Sequence, residues 1–262
     1  MPSLFRQTLT KDQLLTKRGD LSQFLVHLTR TGKYKQWHDI YGLSKDNFLI
    51  LNAKQSLETI LRNTQIEARS PFGYFNYKVP YSGAILNSAS KVQRAWLRSV
   101  CFTETPVDFV SLQFQEIYGR QLQFEPYGLA FFEESVRLKG GNPVFYFDSR
   151  NTQIAAAMDA ITVLPNCQSF APFMALVETF GPPVYKNATK AKEIDFRWER
   201  EWRKPGNFDF TKADVAFGFC PTAEIPYFEG LVGKSFPFVD PNDSTVNIKA
   251  TLRKWPTLKN LK

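Results

Sequence analysis

Proline and glycine fall together at five places, "SPFG" (70–73), "FEPYG" (124–128), "KGGNP" (139–143), "FGPP" (180–183) and "RKPGN" (203–207). Proline fixes φ and lacks an amide hydrogen, whereas glycine opens the left-handed region, so these clusters end helices and strands. They cut the chain into short segments. With no internal repeat and no long Gly/Ser linker, one domain over residues 1–262 is expected, with a core of about 20–235 and a basic C-terminal tail.

Within those limits "NAKQSLETILRNTQIEA" is the clearest helix. Asn52 caps it, Gln55 completes a capping box, Leu57, Ile60 and Leu61 form the apolar stripe, and Glu58 is placed to pair with Arg62. "NTQIAAAMDAITVL" and "SFAPFMALVETFG" supply a second helix pair. Strands are expected at "SVCFTET", "YGLAFF", "NPVFYF", "FRWEREWR" and "DVAFGFCP", each short, rich in aromatic or β-branched residues and bounded by turn signals. "DLSQFLVHLTR" fits a helix stripe (Leu21, Phe24, Leu25, Leu28) and a strand equally well. This irregular order of helices and strands points to an α+β fold.

The stretch "DFRWEREWRKPGNFDF" (195–210) is unusual in alternating charge with large aromatics. As a strand it puts Arg197, Glu199, Glu201 and Arg203 on one face and Phe196, Trp198, Arg200 and Trp202 on the other. As a helix it spaces Trp198 and Trp202, and Glu199 and Arg203, at i,i+4. Either way, an ordinary half-buried element with a solvated charged side accounts for it as well as a site does.

Composition narrows the function classes. No apolar h-region follows the N-terminal charges, and no run approaches the ~18 apolar residues of a membrane span, so a cytoplasmic protein is expected. Cys101, Cys167 and Cys220 are odd in number and lie among apolar neighbours, as reduced thiols do. The formal charge of +8 is compatible with nucleic acid, an acidic protein or a phosphate-bearing cofactor. There is no phosphate loop, dinucleotide fingerprint, zinc-protease motif or nucleophile elbow, so ATP hydrolysis, Rossmann hydride transfer, zinc proteolysis and serine hydrolysis lose weight. What remains is a carboxylate-rich strand beside many aromatics. A carboxylate held ionised by arginine is able to stabilise an oxocarbenium-like transition state at a sugar carbon.

The set "FLVHLTR", "NAKQSLETILRNTQIEA" with "SPFG", "VCFTETP", "FEPYGLAFFEE", "NPVFY" and "EREWR" resembles the AbiGi-like abortive phage-resistance proteins. More distantly, it is similar to the DarT-type ADP-ribosyltransferase toxins. The second resemblance implies an ADP-ribosyltransferase-like split, bent β-sheet with flanking helices, gripping NAD in a cleft. It assigns His27 and Thr29 to NAD contacts on a first strand, which favours the strand reading of "FLVHLTR". It makes Glu201 the residue that drives glycosidic cleavage and Glu199 the first carboxylate of an E-x-E pair, with Tyr127 stacking on nicotinamide. DarT-type toxins carry an arginine after their central strand where "CFTETP" offers Glu104; Arg69, Arg94 or Arg98 would have to substitute, with Arg69 taken as a cofactor contact. A long insertion, "TGKYKQWHDIYGLSKDNFLIL", also departs from the pattern.

Two functions follow as expectations. The first is an NAD-dependent mono-ADP-ribosyltransferase toxin of a phage-defence toxin–antitoxin system, modifying a base in RNA or DNA and held in check by a protein antitoxin. The second comes from the AbiGi resemblance, whose members are associated with abortive infection as antitoxins: a non-catalytic binding component that neutralises a toxin.

Overall fold

A computed structural model describes residues 22–31, 51–68, 73–75, 97–115, 123–164, 166–181, 195, 197–259 and 261. Its centre is a seven-stranded sheet in the order β11-β10-β4-β1-β3-β8-β5, built from β1 (Phe24–Leu28), β3 (Ser99–Thr103), β4 (Gly128–Phe132), β5 (Asn142–Pro143), β8 (Glu201–Pro205), β10 (Val215–Phe219) and β11 (Phe238–Val239). Every pairing in it is antiparallel except β10 with β11. Two small ribbons complete the strands: antiparallel β2 (Gln65–Ile66) with β9 (Phe208–Asp209), and parallel β6 (Phe145–Asp148) with β7 (Val177–Phe180). The α+β expectation holds at this level.

Period-2 alternation divides the sheet into two faces. Leu25, Val100, Phe102, Leu129, Phe131 and Trp202 point to one side. There they meet Leu57 and Leu61 of helix α1 (Ala53–Asn63), Phe208 of β9, and Phe228 of a later helix. Phe24, Val26, Leu28, Ala130, Phe217 and Phe219 point to the other, under Val107 and Val110 of a 3₁₀ helix (Val107–Phe114) and Ile248 and Leu252 of a helix in the C-terminal segment. Aromatic edges meet ring faces through the first layer: Phe131 lies 5.8 Å from Phe102, 5.2 Å from Phe208 and 5.1 Å from Phe210, all near perpendicular.

The capping box forms as the sequence predicts. Asn52 Oδ1 accepts from the Gln55 amide at 2.8 Å, the Gln55 side chain accepts from the Asn52 amide at 3.1 Å, and α1 ends on left-handed Thr64. "FLVHL" is a strand buried on both sides, which explains why its apolar pattern fits two periods. After α2 (Glu133–Leu138), the segment "NPVFYF" splits into β5 and β6, which belong to different sheets. From β6 the chain enters α3 (Thr152–Thr162), then the one-turn helix α4 (Ala171–Met174), and returns as β7 parallel to β6. "SFAPFMALVETFG" is therefore mostly not helical: Val177, Glu178, Thr179 and Phe180 pair with Phe145, Tyr146, Phe147 and Asp148. α5 (Ile225–Leu231) closes the expected core, and the segment beyond it is not merely a tail, since it holds β11 and α6 (Thr245–Leu252). No helix among the described residues is long and apolar enough to cross a membrane.

Candidate functional site

The expectation of one continuous strand through "FRWEREWR" fails over Arg197–Arg200. Arg197–Glu199 form a 3₁₀ turn, Arg200 takes a left-handed φ of 47°, and only from Glu201 does the chain run as β8. A non-glycine residue at positive φ reverses the backbone direction locally, so Glu199 and Glu201 do not share a strand face. Two anchors hold the turn. The Thr103 hydroxyl donates to the Glu199 carbonyl at 2.5 Å, and Glu104 accepts from Arg200 Nη2 at 2.9 Å and from Trp202 Nε1 at 3.2 Å. Glu104, which stands where the DarT pattern has arginine, thus fastens the start of β8. Behind it a buried polar run continues from Thr103 to Thr105 (2.6 Å) and from Gln113 Nε2 to Thr105 (3.1 Å).

In β8 the side chains alternate as the sequence predicts, and the charged face carries the most concentrated polar chemistry among the described residues. Arg203 is 2% exposed. Its Nε and Nη2 donate to the two Glu201 oxygens at 2.9 and 2.8 Å; Nη2 also donates to Glu178 Oε2 at 3.1 Å and Nη1 to the Ala175 carbonyl at 3.2 Å. The Tyr146 hydroxyl donates to Glu201 Oε2 at 3.4 Å. Cys101 lies opposite Arg203 on β3. Gly73 closes the cluster from above: at φ 113° it has no side chain, and a Cβ there would stand 2.6 Å from the Val177 oxygen and 2.7 Å from Arg203 Nη1.

The electrostatics follow from burial around one cation. Burial works against the charged form of Arg203, but Glu201 and Glu178 overcome it and raise its pKa well above the ordinary value. Burial raises the Glu178 pKa; Arg203 opposes that shift and Glu201 reinforces it. Burial, then the Glu201 charge, also pushes the Tyr146 hydroxyl and the Cys101 thiol up, so neither becomes a nucleophile at neutral pH. Two carboxylates, a phenol and a guanidinium satisfy one another, and the Arg203 donors are turned inward. The geometry is that of a clamp joining β8 of the main sheet to the β6–β7 ribbon.

The residues assigned to NAD lie elsewhere. Val26 pairs with Thr103, which pairs with Glu201, so those three share a face and His27 belongs to the opposite one. There the His27 ring packs edge-on to Phe102 at 5.9 Å, with Nδ1 2.9 Å from the Cys101 carbonyl oxygen. Thr29 is buried, its hydroxyl 2.9 Å from the Ala53 carbonyl and 3.2 Å from that of Tyr127, which fastens the end of β1 to the start of α1. Tyr127 packs against Phe228 at 6.2 Å, and burial, then Glu224, pushes its hydroxyl up to about 12. His27, Thr29 and Tyr127 are neighbours on the β1–β4 pair, but the sheet separates His27 from Glu201. Arg69 and Arg94 lie outside the described residues; Arg98, which precedes β3, lies within them. Sequence reasoning missed Glu178 and Tyr146. The available signal for Glu178 was its isolation as the only charged residue in the mostly apolar "MALVETF".

Residues 59–221, more than half of the chain, match the family described as "Putative abortive phage resistance protein AbiGi, antitoxin". The chain belongs to this family. The matched span runs from the middle of α1 past the end of β10, and so contains the whole clamp and the β6–β7 ribbon. No curated protein and no solved structure matches the chain. These findings correct the expectation of an ADP-ribosyltransferase toxin: the family is described as an antitoxin, and similarity to DarT-type toxins has no support. The NAD roles of Glu199, Glu201, His27, Thr29, Tyr127 and Arg69, and the nucleic-acid acceptor, were implied by that resemblance and lose their basis with it.

Proposed function

We propose that this chain is the antitoxin of an abortive-infection pair and acts by binding its toxin protein rather than by catalysis. The observation that carries the reading is the family match over residues 59–221. The clamp supports it: Glu201, the foremost acidic candidate in the sequence, is occupied by Arg203 and Tyr146 and separated by the sheet from His27. A group whose lone pairs are already taken by buried donors stabilises a scaffold; it is not poised for an incoming substrate.

The test is growth rescue. The protein encoded beside this chain is induced as the toxin, alone or together with the chain, and complex formation is followed by co-elution of the purified pair. The wild-type chain restores growth and forms the complex. Glu201→Gln, which keeps the shape of the side chain, protects in proportion to the fraction of protein that remains folded. Absence of rescue by the wild type, or loss of rescue by Glu201→Gln with an unchanged melting temperature, overturns the reading.

A further inference from the structure

The clamp holds down a β–α–β unit, β6, α3, α4 and β7, whose outer surface is unlike the rest of the chain. Residues 151–177 contain one charged side chain, Asp159, although 22% of all residues are charged. Even Asp159 is engaged, accepting from the Tyr74 hydroxyl at 2.6 Å. The inner side of α3 packs Ile154, Met158 and Ile161 onto Tyr74, Phe147 and Met174. Its outer side exposes Ala156 and Ala160, and one turn further Val163 (61% exposed) and Leu164. Ala156, Ala160 and the C-cap Val163 follow the i, i+4, i+7 spacing of one helix face, and Leu164 extends it into the turn that ends α3. Phe145 (47% exposed), Phe170 and Phe173 add aromatic rings to the same unit. A surface helix ordinarily turns charged side chains to water, and clustered exposed apolar groups mark a contact with another molecule.

Charge selects the occupant. A nucleic acid or an anionic membrane is held by Lys and Arg at the contact; residues 151–177 contain neither, and Arg150, in the turn before α3, is engaged by Asp148. A second copy of this chain carries the same formal +8 and is repelled at long range, whereas an acidic protein is drawn in. At the contact itself a charged partner face would be stripped of water without gaining an ion pair, so the seated surface is uncharged. Alanines along the helix let another helix axis approach closely. We infer that the outer face of the β–α–β unit is where the toxin docks, and that the toxin is an acidic protein seating an uncharged, apolar helix across α3 and Phe173. The inference rests on the antitoxin reading and adds to it the surface and the chemistry of the partner.

Binding of the protein encoded beside this chain is measured for the wild type and for Val163→Glu, Phe173→Glu, Leu164→Ser and Val246→Glu. Val246 lies on α6, outside the unit, and is 75% exposed. Oligomeric state and melting temperature are recorded for each protein alone. The expected result is a monomeric chain whose association with the toxin slows as salt is raised. Val163→Glu and Phe173→Glu weaken binding at least ~10-fold, as charge burial at a central anchor does, and Leu164→Ser weakens it less. Val246→Glu binds as the wild type does, and all melting temperatures stay unchanged. Undiminished binding by the three face variants overturns the inference while the antitoxin reading stands. So does a chain that is dimeric alone and is split by Val163→Glu without loss of toxin binding, or single-stranded RNA binding that Phe173→Glu abolishes. Failure of the wild type both to bind and to protect overturns the antitoxin reading and this inference together.

Discussion

The β3–β8 pair carries opposite chemistry on its two sides. On one side Phe102 lies opposite Trp202 and packs into a layer of perpendicular rings with Phe131 and Phe208. On the other, one residue away along each strand, Cys101 lies opposite Arg203 and Thr103 opposite Glu201. The first side gains from every apolar area removed from water and tolerates approximate fit. The second gains only while each charge keeps its partners, because an uncompensated buried charge costs more than the pair contributes. The same ten residues are thus held by one adhesive that degrades gradually and one that fails at a single atom.

Arg203→Met separates the two most strongly. It strands Glu201 and Glu178 together under β7, and the expected loss of unfolding free energy in urea is about 4–5 kcal/mol near neutral pH. Much of that loss is recovered in acid, where the buried Glu178 carboxyl is protonated. In the wild type the Glu178 pKa is already raised by burial above the ordinary 4.5, so the folded state holds its proton more tightly than the unfolded chain does. The stability it contributes is fully present below the ordinary value and is lost as pH rises through the raised one. A denaturation series across that range in which the Arg203→Met deficit stays constant would show that the ionic side does not behave as charges do.

Phe102→Ala, on the other side, is expected to cost about 3–4 kcal/mol by opening a cavity against Phe131 and Phe208. That deficit does not vary with pH, and the contrast with Arg203→Met is the sharpest form of the comparison. Gly73→Ala pushes a methyl group toward Arg203 Nη1 and the Val177 carbonyl at an unfavourable φ, for about 1–3 kcal/mol, with a dependence on pH that places it on the ionic side. The smallest effect is expected at Asn52→Ala, which removes half of the capping box under the aromatic side. It lowers stability by about 1 kcal/mol, read as a small fall in thermal midpoint.

What was legible in the sequence follows from how local the cause is. The α1 capping box, the α3 helix and strands β3, β4 and β10 rest on neighbours within one segment, and they form where the pattern puts them. Left-handed Arg200 was not legible, because nothing in "WERE" marks a non-glycine residue for positive φ; its conformation is fixed by Glu104, distant in the chain. Strand β7 was hidden because "MALVETF" serves either period and only pairing with β6 decides. The charged face of β8 was visible in "EREWR", but not its purpose. Glu178 and Tyr146 come from separate strands, and Arg203 reads as a solvated charge until they are brought over it.

The strand order also sets a timetable for folding. The central strand β1 is made first but pairs with β3 and β4, and β3 must then wait for β8. Contacts that span so much sequence close late, whereas the β6–β7 ribbon is joined through helices adjacent in the chain. On the ribosome, the β–α–β unit, with its charge-poor outer face, emerges before the strand that supplies Arg203. The apolar face is therefore exposed before its clamp exists, and a nascent chain that meets its partner, or another nascent chain, in that interval does so before the sheet is complete.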